Sequence, residues 1–425
     1  MLTLKYIRLN KDEVKQGLRK RNFSDNDLDI VEKVLDLDDR RKKTQTERDH
    51  VLSEINQWSK RIGDLFKSGN RSEAESAKAN VTSLKEKSKA LDEELSSASD
   101  QLKELLLSIP NVPHLSVPSG STDEDNEVVK AWDKEVVTNA DSKPHWEIAK
   151  EYDLIDFDAG VKITGSGFPL YKGKGARLER ALINFFLDQA NEAGYTEIIP
   201  PLLVNPDTAM ATGQLPDKEG QMYHCEKDDF YLIPTAEVPV TNIYRNVILK
   251  SQDFPIKLSG YTPCFRREAG SYGADVKGLN RVHQFNKVEI VQIVEPDRSY
   301  DVLQEMVEHV SGLLEKLELP YRILRLCGGD LGFTSALTFD FEIFSEGQGR
   351  WLEVSSVSNF ETYQSNRLKL RYKNADGKMN LAHTLNGSAL ALARIMAGLL
   401  EKNYTDEGVH IPDVLRPYTK FDIIS

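Results

Sequence analysis

From Ala74 to Leu105 the apolar positions recur at intervals that alternate three and four. Ala74, Ala77, Val81, Leu84, Leu91, Leu95, Ala98, Leu102 and Leu105 share this phase, with Ser88 among them. Such spacing is the heptad pattern of a coiled coil. Upstream, Leu52, Ile55, Ser59, Ile62 and Phe66 answer it, while Arg41, Gln45 and Arg48 are polar at the same phase. Between Leu28 and Ile109 there is no proline, and glycine occurs only at Gly63 and Gly69. The run Lys67-Ser68-Gly69-Asn70-Arg71-Ser72 is a turn signal. Two long helices folded into an antiparallel hairpin are therefore predicted, an arm of roughly 55–60 Å at 1.5 Å per residue. On pattern alone such a hairpin is a spacer or a dimerisation element.

From Pro110 to about Asp133 the composition turns to Pro, Ser, Gly and Asp, which marks a connector and a domain boundary. Beyond it the pattern mixes helices and strands. Gly165 to Gly175 is glycine-rich, but its spacing matches neither dinucleotide nor Walker loops and predicts a turn-rich strand pair. Leu178, Ala181, Leu182, Phe185 and Phe186 mark a helix over 176–193, which leads into Tyr195 to Pro201. A strand ending in Phe265-Arg266-Arg267-Glu268 and a second after Leu279, carrying Val288, Ile290 and Ile293, form an antiparallel pair across a charged, glycine-bearing loop. A helix follows over 302–317, then strands over 339–344 and 351–356. Finally, Thr384 to Arg394 reads as a strand end and a glycine opening onto a helix, with Arg394 two turns in.

Composition narrows the class. At 425 residues, 40% hydrophobic and 29% charged, the chain has room for two or three domains with a large core. A net charge of -12 argues against general attraction to nucleic acid, so any RNA contact needs a local basic face. The 3 cysteines, Cys225, Cys264 and Cys327, lack paired spacing, which gives no disulfide framework and no zinc signature. The first residues are charged and hold no long apolar core, so the expectation is no signal peptide, no membrane span and a cytoplasmic location.

Strand alternation places Arg266 with Glu268, and Lys287 with Glu289 and Phe285, on common faces. Arginine suits a phosphate and an aromatic ring suits a base. Thr235 and Glu237 offer a hydroxyl and a carboxylate to an ammonium or an alcohol. Taken singly these are ordinary: Arg and Glu pair across many hairpins, and Glu353-Val354-Ser355-Ser356 alone means little.

Together they carry more. Phe265-Arg266-Arg267-Glu268, the Gly270-Ser271-Tyr272-Gly273 loop and Val282-His283-Gln284-Phe285 closely resemble the second signature motif of class II aminoacyl-tRNA synthetases, in the form of the seryl-tRNA synthetase family. Pro201 closes a segment similar to the first motif, and Thr384 to Arg394 resembles the third, with Ala389 and Ala393 where members often have glycine. Thr212-Gly213-Gln214-Leu215-Pro216 and Pro234-Thr235-Ala236-Glu237-Val238-Pro239 are near-verbatim seryl-type signatures. The resemblance spans nearly the whole chain, with Val409 to Tyr418 fitting too.

It implies an α+β protein in three parts. Residues 1–110 are a tRNA-binding domain with the coiled-coil arm, 111–134 a linker, and 135–425 a class II catalytic domain built on an antiparallel sheet flanked by helices. It implies that serine and ATP give seryl-adenylate and pyrophosphate, and that the acyl group passes to the 3′ end of tRNA(Ser), and to tRNA(Sec) where present. By resemblance, Arg266 and Arg394 are the catalytic pair. Thr235, Ala236, Glu237, Glu289, Asn386 and Ser388 hold serine. Arg266, Arg267, Glu268, Val282, Phe285, Glu353, Val354, Ser355, Ser356 and Arg394 hold ATP, with Glu353 and Ser356 on Mg²⁺. A homodimer is implied through the first motif, and Arg40, Arg41, Lys42, Lys43, Lys60, Arg61, Lys67 and Arg71 are the bases available to grip tRNA. Two rivals are a silent tRNA-binding relative, expected to lose one of Arg266, Glu268, Glu353 or Arg394, and an amino-acid:carrier-protein ligase, expected to lack the arm.

Overall fold

The computed structural model describes residues 1–132, 142–217, 219–268 and 277–425. They fall into two compact units, Met1–Arg19 with Phe23–Pro110, and Lys20–Asn22 with Asn111–Ser425.

The first unit is dominated by helices α1 (Asp29–Lys67) and α2 (Arg71–Ser108). They reverse at Gly69, whose φ of 82° is a left-handed conformation that glycine adopts without strain. The seam of α2 is as the heptads predict: Ala74, Ala77, Val81, Ser88, Leu91, Ala98 and Leu102 are buried. In α1 the apolar stripe differs by one step. Val51 is buried and Ile55, Trp58, Ile62 and Leu65 are half-buried, whereas Ser59 and Phe66 face solvent. The sequence offers two overlapping stripes that share Ile55 and Ile62, and only packing against α2 selects between them. The polar middle of α1 is spanned by charge: Arg40 pairs with Glu94, Arg48 with Asp92 and Glu47 with Lys87 across the two helices. Asp38, on α1, is fully buried. Burial opposes its ionisation, but Lys42, Arg41 and Arg8 outweigh that and hold its carboxyl below the usual range.

The second unit is built on an eight-stranded sheet. Its elements in chain order are β1 (Glu127–Ala131), α3 (Gly173–Glu192), β2 (Thr196–Glu197), α4 (Glu237–Asn242), β3 (Ile256–Phe265), β4 (Gln284–Val294), α5 (Ser299–Lys316), β5 (Tyr321–Arg325), β6 (Leu337–Ser345), β7 (Arg350–Asn359), α6 (Thr362–Leu368), β8 (His383–Ala391) and α7 (Leu392–Lys402). The strand order is β1-β5-β6-β7-β8-β4-β3-β2, antiparallel except for the terminal pair β2 and β3. Within the segment of connector-like composition, Asn111 is buried and its amide donates to the carbonyls of Thr334 and Phe360, and β1 joins the sheet edge.

Alternation divides the sheet into two faces. On β4, Val288, Ile290 and Val294 enter the main core with Leu182, Phe186, Met306, Val310, Ile395 and Leu399 from α3, α5 and α7. Val291 faces the other way, packed with Ala236 and Val240 at α4. Glu289 and Lys287 lie on this second face, between the sheet and α4.

Candidate active site

Strand β3 ends at Phe265, one residue before Arg266, and Glu268 has a φ of 47°. Arg266 and Glu268 therefore do not alternate along a strand. They belong to a turn that keeps its pairing through Arg266, whose N–H donates to His283 O at 3.0 Å. The Gly270 to Gly273 part of the loop lies outside the described residues. Arg266 Cζ sits 5.3 Å from the centre of the Phe285 ring, and Arg266 Nε donates to Pro234 O at 3.3 Å. One arginine thus joins the aromatic plate to the segment that carries Thr235 and Glu237. Beside it, Glu268 accepts from Arg281 at 3.1 Å.

Thr235, Ala236, Glu237, Glu289, Asn386 and Ser388 are all buried, and Glu289, Asn386 and Ser388 share the sheet face that α4 covers. Thr235 Oγ1 donates to Glu289 Oε2 at 3.0 Å, and Lys287 Nζ reaches the same oxygen at 2.7 Å. Among the described residues no cation pairs with Glu237. Gln364 Nε2 donates to its Oε1 at 2.6 Å. Burial and the charge of Glu289 push the Glu237 carboxyl up to about 7, against the hydrogen bond from Gln364 and the charges of Lys287 and Arg266. Asn386 and Ser388 come from β8, which pairs Ser388 with Glu289. Ala236 packs in the apolar cluster beneath.

Two irregularities in the sheet aim the remaining groups. Strict alternation would put Glu353 and Ser356 on opposite faces. The register between β6 and β7 shifts so that Glu342 faces Glu353 while Phe341 faces Ser355, leaving Val354 as the extra residue. Ser356 Oγ consequently lies 3.4 Å from Glu353 Oε1. The second shift lies between β4 and β8, at Ala389 and Leu390, with Leu390 at a φ of 82°. It carries the strand on to Ala391, so α7 starts later than the Ala- and Leu-rich sequence suggests. Arg394 stands in the first helical turn rather than two turns in. Its Nε donates to Asn280 O at 2.9 Å and its Nη1 to Glu353 O at 2.5 Å, and burial lowers its pKa.

Other expected contacts sit elsewhere. The side chains of Val282 and Val354 lie in the main core, which leaves only their backbone available to a ligand. Ser355 Oγ is spent on Ser388 O at 2.6 Å, tying β7 to β8. Arg267 is exposed and its N–H donates to Gln221 O. Sequence reasoning missed Gln364, whose only signal is a polar residue on the buried face of a short helix. It also missed Asp340 opposite Ser356, where burial and Glu353 raise the carboxyl well above its usual range. Among the described residues no group of three or more His, Cys, Asp or Glu is arranged to hold a metal ion. Glu353 and Ser356 offer two hard oxygen donors, which fits a Mg²⁺ ion that takes its other ligands from phosphate and water.

Comparison with known proteins covers the whole chain. A profile of the seryl-tRNA synthetase N-terminal domain matches residues 1–113, and one of the tRNA synthetase class II core domain (G, H, P, S and T) matches residues 222–403. The serine–tRNA ligase of Salinibacter ruber is 49% identical over 99% of this chain and 98% of its own length. That of Prosthecochloris aestuarii is 44% identical over 100% and 99%. Among solved structures, seryl-tRNA synthetase from Pyrococcus horikoshii complexed with ATP superposes with a TM-score of 0.91 at 33% identity, covering 100% of this chain and 99% of that one. Prolyl-tRNA synthetase from Giardia lamblia, at 16% identity and a TM-score of 0.57 over 65% of this chain and 57% of that one, shares the fold.

Proposed function

The chain belongs to the seryl-tRNA synthetase family, and from that premise we propose that it activates L-serine with ATP and transfers the seryl group to the 3′ end of tRNA(Ser). One observation carries the reading. Glu289 is already matched by Lys287, whereas Glu237 is buried with only a neutral donor, and the arginine beside both, Arg266, is also stacked on Phe285. A buried carboxylate without a cation is costly. An amino acid's ammonium would relieve that cost, and its own carboxylate would lie toward Arg266, where a nucleotide's α-phosphate also belongs. Arg266 then bridges the two reacting groups, Phe285 and Glu268 hold adenine, and Arg394 steadies the γ-phosphate. Glu353 and Ser356 would hold Mg²⁺, which supplies further charge neutralisation at the phosphates. Little covalent chemistry is asked of the protein, so placement and charge supply most of the acceleration.

The same reading extends outward. Around the hairpin turn, Lys60, Arg61, Lys67 and Arg71 are exposed and make no ion pair among the described residues, which leaves them free for an RNA backbone. Arg40, Arg41 and Lys42 are spent on Glu94 and Asp38. A homodimer is supported by β2 at the sheet edge, by Ile199, Leu203 and Ile243 at 88%, 47% and 49% exposure, and by a cleft of about 580 Å³ lined by Ile198, Ile243 and Ile256. Among the described residues no helix is long and apolar enough to cross a membrane, and we place the enzyme in the cytoplasm. Charging of tRNA(Sec) is part of the proposal. Arg266, Glu268, Glu353 and Arg394 are all present and the helical hairpin is intact, which speaks against both a silent relative and a carrier-protein ligase.

The test is ATP–pyrophosphate exchange run against each amino acid. Serine alone supports it, and alanine is activated at least about a thousandfold less efficiently, because a site built to bond a hydroxyl leaves polar groups unpaired without one. Arg266→Ala nearly abolishes exchange while the protein stays folded. Comparable alanine activation, or exchange within a few-fold of wild type in the variant, overturns the assignment.

A further inference from the structure

Gln364 touches none of the nucleotide-facing groups, yet it is buried on α6 with its amide nitrogen and its oxygen both engaged. Nε2 donates to Glu237 Oε1 at 2.6 Å and to Thr212 O at 3.3 Å, and Oε1 accepts from Thr384 Oγ1 at 2.8 Å. The orientation is forced. Turned over, the amide would set its oxygen against a carboxylate and a carbonyl together, two repulsive contacts in place of two bonds. Thr384 belongs to β8, two residues before Asn386, so the pocket's far strand reaches Glu237 through this one side chain. The same helix also holds the loop that precedes the pocket. Arg367 Nη1 donates to Met210 O at 3.0 Å and to Leu215 O at 3.3 Å. Gly213 between them has a φ of 98° and no room for a Cβ, which would lie 2.3 Å from Thr334 Cγ2.

The consequence lies at Glu237. Glu289 is engaged by Lys287 and Thr235, so Glu237 is the carboxylate left to receive a cation. Only one of its oxygens is fixed, by a donor that cannot supply charge. The hydrogen bond settles which oxygen remains free and favours the ionised form. The groups that face Glu237 are Glu289 and Lys287 from β4, Arg266 from the end of β3 and Gln364 from α6, and of these Gln364 alone is neutral.

We propose that Gln364, set by Thr384, is a positioning residue that presents the free oxygen of Glu237 to the ammonium group of serine. This rests on the reading of Glu237 as part of the serine pocket. It assigns the ammonium to Glu237 and leaves the hydroxyl to Glu289 and Thr235. It also gives α6 a role in substrate affinity rather than in nucleotide chemistry.

Serine-dependent pyrophosphate exchange between about pH 6 and 9 tests it, on the full chain and three variants. Gln364→Leu keeps the volume and removes the donor. It raises the KM for serine roughly 10- to 100-fold, the range of a hydrogen bond to a charged group, and leaves the KM for ATP within about twofold. Because the lost bond favoured ionised Glu237, the acid limb of kcat/KM for serine moves to higher pH, by roughly one unit. Thr384→Val leaves the glutamine in place without its guide and gives a smaller effect of the same sign, so the inference stands testable even if Gln364→Leu does not fold. Glu237→Gln separates the two readings. An unchanged KM for serine in Glu237→Gln removes Glu237 from the pocket and the underlying reading with it. A raised KM in Glu237→Gln together with unchanged serine affinity, equal losses on ATP and serine, or an unshifted pH limb in both Gln364→Leu and Thr384→Val overturns the role of Gln364 alone.

Discussion

Arg40 with Glu94 in the helical hairpin, and Lys287 with Glu289 in the pocket, are ion pairs of the same length, 2.7 Å. The first pair's side chains are 64% and 40% exposed, the second's 7% and 2%. Water screens the first, so it is worth roughly 0.2–1 kcal/mol and registers the helices more than it holds them. In the second, desolvation nearly offsets attraction, and removing one partner costs roughly 3–5 kcal/mol because the other charge is left stranded. Apart from buried Asp38 and its cations near the base of α1, charge is dispensable detail in the hairpin, whose apolar seam does the holding. In the pocket each charge fixes the state of its neighbours.

The comparison breaks first, and most visibly, if the hairpin proves necessary to the chemistry. Replacing Asp36 to Lys103 with a short Gly-Ser connector removes the paired length of α1 and α2, whose buried side chains mainly cover one another. Every group assigned to adenylate formation in the proposed site lies after Pro201, so serine-dependent pyrophosphate exchange is expected to survive nearly intact. Aminoacylation is expected to fall at least about a hundredfold through the KM for tRNA. In the intact protein, tRNA affinity falls with added salt, as counterions are released from the RNA backbone. Loss of both activities, or of neither, returns the hairpin to a spacer.

Legibility in the sequence follows the same divide. The hairpin was readable because a 3.5-residue repeat survives along 38 residues of α2, and its one misreading, Ser59 and Phe66 in place of Trp58 and Leu65, is a choice only the partner helix makes. The inner strands were readable from alternation, but β5 was not read, and β1 lay hidden in a segment whose Pro, Ser, Gly and Asp content reads as a connector. The candidate site was suggested only by the resemblance, since Arg-x-Glu and Glu-x-x-Ser carry little by themselves. What no local pattern reveals is the extra residue at Val354 that turns Glu353 toward Ser356, the shift at Leu390 that brings Arg394 into the first turn of α7, and Gln364, whose partners stand 127, 152 and 20 positions away. These are products of register and of long-range packing.

A second test concerns burial without a counter-charge. Glu179 on α3 is buried. One of its oxygens accepts from Asn286 at 3.0 Å and the other has no partner among the described residues, and burial pushes its carboxyl up to about 7. The folded state therefore holds this proton more tightly than the unfolded chain, whose carboxyl titrates near 4.5. Stability from the group is full below the unfolded value and is lost as pH rises toward 7. Glu179→Gln keeps an acceptor for Asn286 and removes the charge. At about pH 8 it is expected to be roughly 2–3 kcal/mol more stable in urea, with the gain vanishing near pH 4. No gain at alkaline pH would mean that the carboxylate finds a partner after all.

The smallest effect expected is at the exposed pair itself. Arg40→Ala, Glu94→Ala and the double variant form a cycle in which the aliphatic stems and the lost helix contacts cancel, leaving the coupling between the two charges. Both groups keep water on at least one side, and holding two long side chains in one geometry costs rotamer freedom, so the coupling is expected near 0.5 kcal/mol. It should fall further in about 1 M salt, where the screening length drops to about 3 Å. The single variants should leave pyrophosphate exchange unchanged. A coupling above about 1.5 kcal/mol, insensitive to salt, would show that the hairpin's ion pairs behave as buried ones do. The contrast with Lys287 and Glu289 would then lie in their neighbours rather than in exposure.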